Sequence, residues 1–226
     1  MNPKTRNLFV RTASGIVYVV LMVAAVFTQW VAVLLALFFG LVGVYEFYKL
    51  CSSSDFQRNA YLKNPVALGF LGLLWIVLPL FLLFFLWAPK QPAIVLAFLI
   101  LIWMSDTAAY VFGSLFGKHK LAPNISPGKT WEGFLCSCLF TLGLAVGLSY
   151  IPFFRQTGMP LWGWIVFALI IQVFGLMGDL TESLFKRKAG VKDSGNIIPG
   201  HGGVLDRVDS ILFASVPAYL FCMMIG

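Results

Sequence analysis

Charged residues are scarce in this sequence. Asp, Glu, Lys and Arg make up 11% of its 226 residues, whereas 60% are hydrophobic. Soluble domains carry roughly 25% charged and roughly 45–50% apolar residues, so the composition excludes a water-soluble globular protein. The apolar residues form runs near the ~20 residues that cross the hydrocarbon core as a helix, without the alternation of a membrane β-barrel. The sequence therefore predicts an all-α, polytopic membrane helix bundle.

Cysteine is also rare, with four residues scattered along the chain. Cys136 and Cys138 are separated by a single residue, which is not the spacing of a redox or zinc-binding pair. Cys51 and Cys222 have no cysteine nearby. We therefore interpret all four as small buried hydrophobic residues.

The apolar runs predict about seven transmembrane helices. They lie near 12–28, 30–48, 66–87, 93–116, 133–152, 161–185 and 208–225. The first run follows a basic start without a small-residue cleavage site, so we expect a retained span and not a signal peptide. Pro79 falls inside the third run, where a membrane helix tolerates it as a kink.

The basic residues predict the orientation of these helices. If the N-terminus is cytoplasmic and every run crosses once, all Lys and Arg residues except Lys90 and Arg155 lie on the cytoplasmic side, as the positive-inside rule requires. We therefore expect a multi-pass protein of the cell (inner) membrane with a cytoplasmic N-terminus. The net charge of +7 then reflects this topology and an anionic lipid surface, and not nucleic-acid binding.

One helix carries an acid at membrane depth. Asp106 lies inside an apolar run, where an ionised carboxylate costs at least ~2.5 kcal/mol unless a partner or water is near. Tyr110, Gly113 and Gly117 follow it on the same helix face. The small residues of this face either admit a ligand or pack against another helix.

A predicted cytoplasmic loop, 117–132, follows this helix and begins with Lys118. Ser126 opens a Ser-Pro-Gly sequence that predicts a tight turn with exposed N–H groups, and Lys129 adds a positive charge suited to phosphate. The Gly-Lys-Thr that follows resembles a P-loop, but Pro123 stands where the upstream glycine is required, so that interpretation fails. Glu132 is either a cap-like acid in the first turn of the next helix or a ligand that faces the site.

A second predicted loop, 186–207, connects two helices that both carry acids. Asp179 and Glu182 share one helix face with Lys186, which indicates either a binding site or an internal salt bridge. Asp206 and Asp209 share a face at the start of the last helix. Carboxylates at a spacing of three on two helices supply the oxygen ligands that Mg²⁺ prefers.

The loop itself is rich in glycine and basic residues. His201 stands between two glycines, and Gly202 and Gly203 permit a positive-φ backbone that approaches a ligand closely. We expect His201 to contact that ligand. A Mg²⁺ site beside basic residues and a Gly-rich loop favours phosphoryl or nucleotidyl transfer, and its place on a membrane scaffold implies a lipid substrate.

Two segments resemble the phosphatidate cytidylyltransferase (CDP-diacylglycerol synthase) family. The stretch SLFKRKAGVKDSGNIIPGHGGVLDRVD at 183–209 resembles the signature of that family. The stretch SDTAAYVFGSLFGKHKLAPNISPGKTWEG at 105–133 is similar to a second family motif, and the first 90 residues contain no comparable motif. Family members often have extra spans before the first motif, whereas this chain has a single apolar run, 66–87, between residues 50 and 93.

The resemblance implies a reaction of CTP with phosphatidic acid that gives CDP-diacylglycerol and pyrophosphate. It also implies Mg²⁺, with room for a second cation such as K⁺, and a homodimer among membrane lipids. Residues 1–90 would be N-terminal membrane helices, and 91–226 the catalytic region with its two loops. Pattern and resemblance together assign as catalytic Asp179, Lys192, His201, Asp206 and Asp209; as metal ligands Asp179, Glu182, Asp206 and Asp209; and as substrate-binding Asp106, Lys118, Ser126, Lys129, Glu132, Lys186, Arg187, Gly202, Gly203 and Arg207.

Two other functions are compatible with parts of this pattern. A CTP-dependent polyprenol or phytol kinase also needs basic loops and Mg²⁺ at a membrane, but it releases CDP and not pyrophosphate. A cation-coupled transporter also carries buried acids along its ion pathway. The Gly-rich loop fits a transporter poorly, because the topology places this loop at the aqueous face and not at the midplane.

Overall fold

A computed structural model describes residues 3–59, 64–198 and 202–225 of the chain. The regular secondary structure of its described part consists of helices, one short hairpin and one isolated bridge. The apolar helices are α1 (Pro3–Phe27), α2 (Gln29–Cys51), α4 (Pro65–Trp87), α5 (Pro92–Phe116), α6 (Trp131–Tyr150), α8 (Leu161–Lys188) and α9 (Leu205–Ile225). The short helices α3 (Ser54–Asn59) and α7 (Pro152–Arg155) lie in connections.

The predicted helix bundle is confirmed. In the part of the chain that the structure describes, six helices are long and apolar enough to cross a membrane, and the apolar part of α1, Arg11–Phe27, is shorter. Every predicted run coincides with one of the seven apolar helices, because the thickness of the hydrocarbon core sets helix length. The chain is therefore a multi-pass membrane protein, and the cytoplasmic position of its N-terminus stays a prediction.

Helix α4 accommodates Pro79 by widening on both sides of it. Leu73–Val77 and Leu82–Trp87 are π-helical, and the N–H of Leu78 donates to the carbonyl of Leu73, five residues earlier. Proline lacks an N–H and its ring crowds the carbonyl four residues before it. Local π-helical turns relieve this conflict without breaking the helix.

A two-stranded antiparallel hairpin connects α5 and α6. Strand β1 (Lys120–Ala122) pairs with β2 (Ser126–Thr130), with an irregularity in β1. The expected tight turn at Ser126 is wrong in position, because Ser126 begins β2 and the turn lies at 123–125. The N–H of Ile125 donates to the carbonyl of Ala122 at 3.1 Å, which places a proline and an asparagine at the central turn positions that favour them.

The chain forms two compact units. The first contains Met1–Pro89 and Phe185–Asp209, and the second contains Lys90–Leu184 and Ser210–Gly226. The last turn of α8, the Gly-rich loop and the first turn of α9 thus fold with the N-terminal helices. The second predicted loop, 186–207, belongs to the first unit, and the division of the chain at residue 90 stays a prediction. The catalytic role of residues 91–226 stays a prediction.

An aromatic cluster in the first unit anchors the beginning of the Gly-rich loop. The ring of Phe185 lies 5.3 Å from Phe47, 5.6 Å from Phe56 and 5.6 Å from Trp75 between centroids. These partners come from α2, α3 and α4, and all three are buried. Aromatic contacts of this kind add to the stabilisation from apolar burial, so the end of α8 is fixed where the polar loop starts.

Close packing of α5 against α6 shapes the second unit. A Cβ atom at Gly133 would lie 2.7 Å from the carbonyl oxygen of Ala109 and 2.9 Å from the Cα of Gly113. A Cβ atom at Gly117 would lie 2.7 Å from the side-chain oxygen of Thr130. The glycines of α5 therefore pack helices and hold the end of the hairpin, which is the structural one of their two interpretations.

A buried hydrogen-bond chain links three helices of the second unit. Ser105 on α5 donates to the amide oxygen of Gln172 on α8 at 2.6 Å, and the amide nitrogen of Gln172 donates to Ser137 on α6 at 2.6 Å. All three side chains are buried. Polar contacts between apolar helices fix their rotation relative to each other.

Candidate active site

Asp206 is held within the first unit by an ion pair and several hydrogen bonds. Its Oδ1 lies 2.6 Å from the Nζ of Lys186, and the two side chains are only 7% and 10% exposed. Its Oδ2 accepts from the Ser194 N–H at 2.9 Å, the Ser194 hydroxyl at 3.0 Å and the Gly203 N–H at 2.8 Å. Charge-assisted hydrogen bonds are about twice as strong as neutral ones. The carboxylate is therefore held in one orientation by the loop and the end of α8.

Glu46 is a buried acid that the sequence analysis missed. It lies on α2 and is 1% exposed. Its Oε1 accepts from the Val204 N–H at 3.1 Å, and its Oε2 accepts from the Leu205 N–H at 2.9 Å. The Ser194 hydroxyl lies 3.0 Å from the same Oε2 and shares its single proton between Glu46 and Asp206. The sequence does contain a signal for it, because placing an ionised acid inside an apolar run costs free energy unless the acid has partners. The same argument identifies Asp106 as a candidate.

The glycines of the loop are required by close backbone contacts. A Cβ atom at Gly195 would collide with the carboxylate of Glu46, and one at Gly203 would collide with the Ser194 hydroxyl. Gly202 has a φ of 83°, in the region that favours glycine. The predicted positive-φ loop is therefore confirmed at Gly202.

The tip of this loop is closed by an antiparallel bridge. The N–H of Ile198 donates to the carbonyl of Gly202 at 3.0 Å. His201, which the sequence predicts to contact a ligand, lies outside the described residues, so its role stays a prediction.

Three further basic residues of the predicted site belong to the first unit. Arg187 and Lys192 are exposed, and Arg187 donates to the carbonyl of Val191 at 3.3 Å. Arg207 is exposed on the first turn of α9, and its carbonyl accepts from the Tyr18 hydroxyl at 3.0 Å. Asp209 is buried one turn further along α9. The substrate contacts assigned to these residues stay predictions.

A second lysine–aspartate pair lies in the other unit. The Nζ of Lys129 on β2 lies 2.5 Å from the Oδ2 of Asp179 on α8, and the Ser183 hydroxyl donates to the Oδ1 of Asp179 at 3.2 Å. The two charged side chains are 23% and 31% exposed, so water screens this pair more than the pair in the first unit. Glu182, on the same helix, is buried.

Glu132 closes the base of the hairpin. Its Oε2 accepts from the Lys118 N–H at 3.0 Å and the His119 N–H at 3.1 Å, and its Oε1 lies 2.6 Å from the His119 Nδ1. Its own helix is capped by Thr130, whose hydroxyl accepts from the Gly133 N–H at 3.2 Å. Glu132 therefore holds the loop that presents Lys129, and His119 is a partner that the sequence analysis did not identify.

Two further predicted residues belong to this unit. Asp106 lies on α5, and Ser126 is the first residue of β2. Their contacts with a substrate stay predictions. The two predicted loops, 117–132 and 186–207, belong to different compact units.

The carboxylates of the candidate site offer the oxygen ligands that Mg²⁺ prefers, but Asp179 and Asp206 form ion pairs with lysines in this structure. No three His, Cys, Asp or Glu side chains within the described ranges come close enough together to bind a metal. Asp206 uses Oδ2 for the loop and Oδ1 for Lys186, and Asp179 uses Oδ1 for Ser183 and Oδ2 for Lys129. In each acid, the lysine-paired oxygen can accept a hard cation when the lysine turns to another anion.

The chain matches one family over nearly its whole length. The model of the cytidylyltransferase family matches residues 4–225. The phosphatidate cytidylyltransferase of Staphylococcus haemolyticus is 49% identical over 120 residues, which is 53% of this chain and 45% of that protein. The protein of that name from Staphylococcus epidermidis is 51% identical over 124 residues, and the one from Staphylococcus aureus is 51% identical over 120 residues. The chain spans about half the length of these curated relatives.

Proposed function

We propose that this chain, which belongs to the cytidylyltransferase family, transfers a cytidylyl group from CTP to phosphatidic acid at the cytoplasmic face of a membrane. The products would be CDP-diacylglycerol and pyrophosphate. The observation that carries the proposal is the buried Lys186–Asp206 pair, which a Gly-rich loop holds in place between two apolar helices. The name that the relatives share, phosphatidate cytidylyltransferase, supports the same reaction.

The reaction needs charge neutralisation more than covalent help from the protein. A phosphate oxygen of phosphatidic acid attacks the α-phosphorus of CTP. A new P–O bond forms, the bond to the β-phosphate oxygen breaks, and its electron pair leaves with pyrophosphate. Because both reactants are anions, the enzyme must reduce their repulsion and hold them in line.

The basic residues supply this neutralisation. Lys186 and Lys129 each pair with an aspartate, and each ammonium would neutralise phosphate charge if its aspartate bound another cation. Arg187, Lys192 and Arg207 add charge around the Gly-rich loop, where their exposed side chains can reach a triphosphate. The glycines let the loop backbone approach the nucleotide closely.

We assign the acids to a metal ion as part of the proposal. Mg²⁺ would supply positive charge at the α- and β-phosphates. The family resemblance adds room for a second cation such as K⁺. The candidate ligands are Asp179 and Glu182 in the second unit and Asp206 and Asp209 in the first, because their carboxylate oxygens are the ligand type that Mg²⁺ prefers. The homodimer is proposed from the family resemblance, and light scattering of the detergent-solubilised protein tests it.

Product analysis tests the reaction. Purified protein in detergent is incubated with phosphatidic acid, Mg²⁺ and CTP labelled in its α-phosphate, and we expect label in a CDP-lipid and stoichiometric pyrophosphate. Asp206→Asn should abolish the transfer, whereas Lys90→Met, at an exposed residue outside the site, should retain it. Release of CDP with a lipid monophosphate would favour a lipid kinase instead. Ion-dependent solute flux without CTP turnover would favour a transporter.

A further inference from the structure

We infer that Glu46 is a positioning residue for the transfer reaction: it fixes the Gly-rich loop and, through Ser194, the orientation of Asp206. The inference rests on the proposed function, because that function gives Asp206 its role. Nothing in either family-like motif includes Glu46, which lies on α2, far from both motifs in sequence. Its importance follows from the hydrogen bonds that the fold brings to it.

The carboxylate of Glu46 accepts hydrogen bonds from backbone N–H groups that have no acceptor within their own helix. Val204 and Leu205 stand at the start of α9, where the first N–H groups of a helix lack intrahelical acceptors. Both N–H groups donate to Glu46, at 3.1 and 2.9 Å. A negative charge is also favourable at a helix N-terminus. An acid from a distant helix therefore caps the helix that carries Asp206.

Glu46 and Asp206 are linked through one residue. The Ser194 hydroxyl lies 3.0 Å from the Oε2 of Glu46 and 3.0 Å from the Oδ2 of Asp206. The Ser194 N–H and the Gly203 N–H donate to the same oxygen of Asp206. A shift of the loop away from Glu46 would therefore move Ser194 and Gly203, which are the groups that orient Asp206.

The loop is also shaped around the Glu46 side chain. A Cβ atom at Gly195 would collide with the Oε1 of Glu46, and a Cβ atom at Gly203 would lie 2.7 Å from its Oε2. With Glu46 1% exposed, the loop backbone and the carboxylate exclude water from each other. The glycines and the acid therefore form one packing unit.

A carboxylate is required here, and an amide is not equivalent. Glutamate offers two acceptor oxygens, and the three donors use both. Glutamine has one acceptor oxygen and an NH₂ group that only donates. In Glu46→Gln the NH₂ group would face at least one backbone N–H, so that donor would be buried without a partner.

Amide hydrogen exchange on the 226-residue chain in detergent tests the hold on the loop without any substrate. In Glu46→Gln we expect the peptide covering 202–206 to exchange at least about tenfold faster, because each loss of ~1.4 kcal/mol of protection corresponds to tenfold, while the hairpin 118–130 is unchanged. Glu132→Gln is the matched control, because it removes the acceptor of the Lys118 and His119 N–H groups. It should speed exchange in the hairpin and leave 202–206 unchanged.

Steady-state kinetics test the effect on Asp206. Residues that orient a metal ligand typically change activity by about 10–100-fold, so Glu46→Gln should lower kcat by about that factor while the KM for CTP changes less than about threefold. Ser194→Ala should lower kcat through the same link, and the Glu46→Gln/Ser194→Ala double variant should lose less than the product of the two single losses. Glu46→Asp keeps both carboxylate oxygens, so its loop should be better protected from exchange than the loop of Glu46→Gln. This variant replaces Glu46→Gln in the experiment if Glu46→Gln does not fold.

Three outcomes would overturn the inference. Unchanged exchange at 202–206 in both Glu46 variants would show that the acid does not hold the loop. A kcat within about twofold of wild type, or single-variant losses that multiply in the double variant, would show that it does not act on Asp206 through Ser194. If the wild-type protein transfers no cytidylyl group, the proposed function fails, and the exchange result alone then confirms or refutes the hold of Glu46 on the loop.

Discussion

Replacing Lys186 by methionine tests how strongly the first unit depends on its buried ion pair. Lys186→Met keeps the length of the side chain but removes the charge that faces Asp206, and both side chains are at least nine-tenths buried. Breaking a buried pair costs about 3–5 kcal/mol, because the remaining charge is left uncompensated. Asp206 keeps three hydrogen bonds from Ser194 and Gly203, so we expect the lower end, about 3 kcal/mol.

The pair in the second unit provides the comparison. Lys129 and Asp179 are 23% and 31% exposed, and partly exposed pairs contribute about 1 kcal/mol or less. At roughly 2–4 °C per kcal/mol for a chain of this size, Lys186→Met should lower Tm by about 6–12 °C. Lys129→Met should lower it by less than about 4 °C.

Thermal unfolding in detergent, followed by tryptophan fluorescence, measures both shifts. The Lys186→Met/Asp206→Asn double variant should be more stable than Lys186→Met alone, because it leaves no uncompensated charge. Equal shifts for Lys186→Met and Lys129→Met would refute the reasoning from burial. A double variant less stable than the single one would show that packing, and not charge, sets the loss.

Three further predictions concern other parts of the chain. Gly203→Ala should abolish transfer and lower the yield of folded protein, because its Cβ would meet Ser194 and Glu46, whereas Gly128→Ala, with open space at its Cβ, should retain both in the same assay and purification. Glu132→Gln should raise the KM for CTP more than it lowers kcat, because it loosens the hairpin that carries Lys129, the lysine proposed to neutralise phosphate charge. Initial rates at varied CTP would show this, and an unchanged KM would contradict it. Gln172→Leu should lower stability by only about 1 kcal/mol in thermal unfolding, since hydrogen bonds between membrane helices average about that value or less.

The membrane helices could be predicted from the sequence because their signal is local. Each apolar run has the length that the hydrocarbon core imposes, and the observed bounds of α5 and α8 differ from the predicted runs by at most three residues. The spacing of Asp206 and Asp209 likewise placed both acids at the start of one helix before the fold was known. The length of an apolar run and the helical spacing of side chains depend only on residues that are close in sequence. Both can therefore be predicted without knowledge of the tertiary structure.

The contacts that organise the site could not be predicted in this way. Glu46 accepts hydrogen bonds from the N–H groups of Val204 and Leu205, which lie 158 and 159 residues later in the sequence. No helical or strand periodicity predicts a contact between positions so far apart. The helical spacing indicates that Lys186 shares a face with the acids of its own helix. In the structure its buried partner in the first unit is Asp206, which follows 20 residues later. Glycine-rich loops permit many backbone paths, so only the folded chain shows which groups the path brings together.

The hairpin turn shows a different limit. Two Pro-containing sequences compete for the turn between α5 and α6, and sequence reasoning favoured the one that begins at Ser126. The structure uses Pro123 at the second turn position, with Asn124 after it. Both sequences suit a turn, and the choice is decided by strand pairing, which aligns Lys120 with Thr130 and Ala122 with Ser126.

The products formed from phosphatidic acid and CTP decide whether the chain transfers a cytidylyl group. With purified, folded protein, Mg²⁺ and α-labelled CTP, we expect CDP-diacylglycerol and pyrophosphate in equal amounts, and their loss in Asp206→Asn. CDP with a newly phosphorylated lipid, or no CTP turnover by folded wild-type protein, would contradict it.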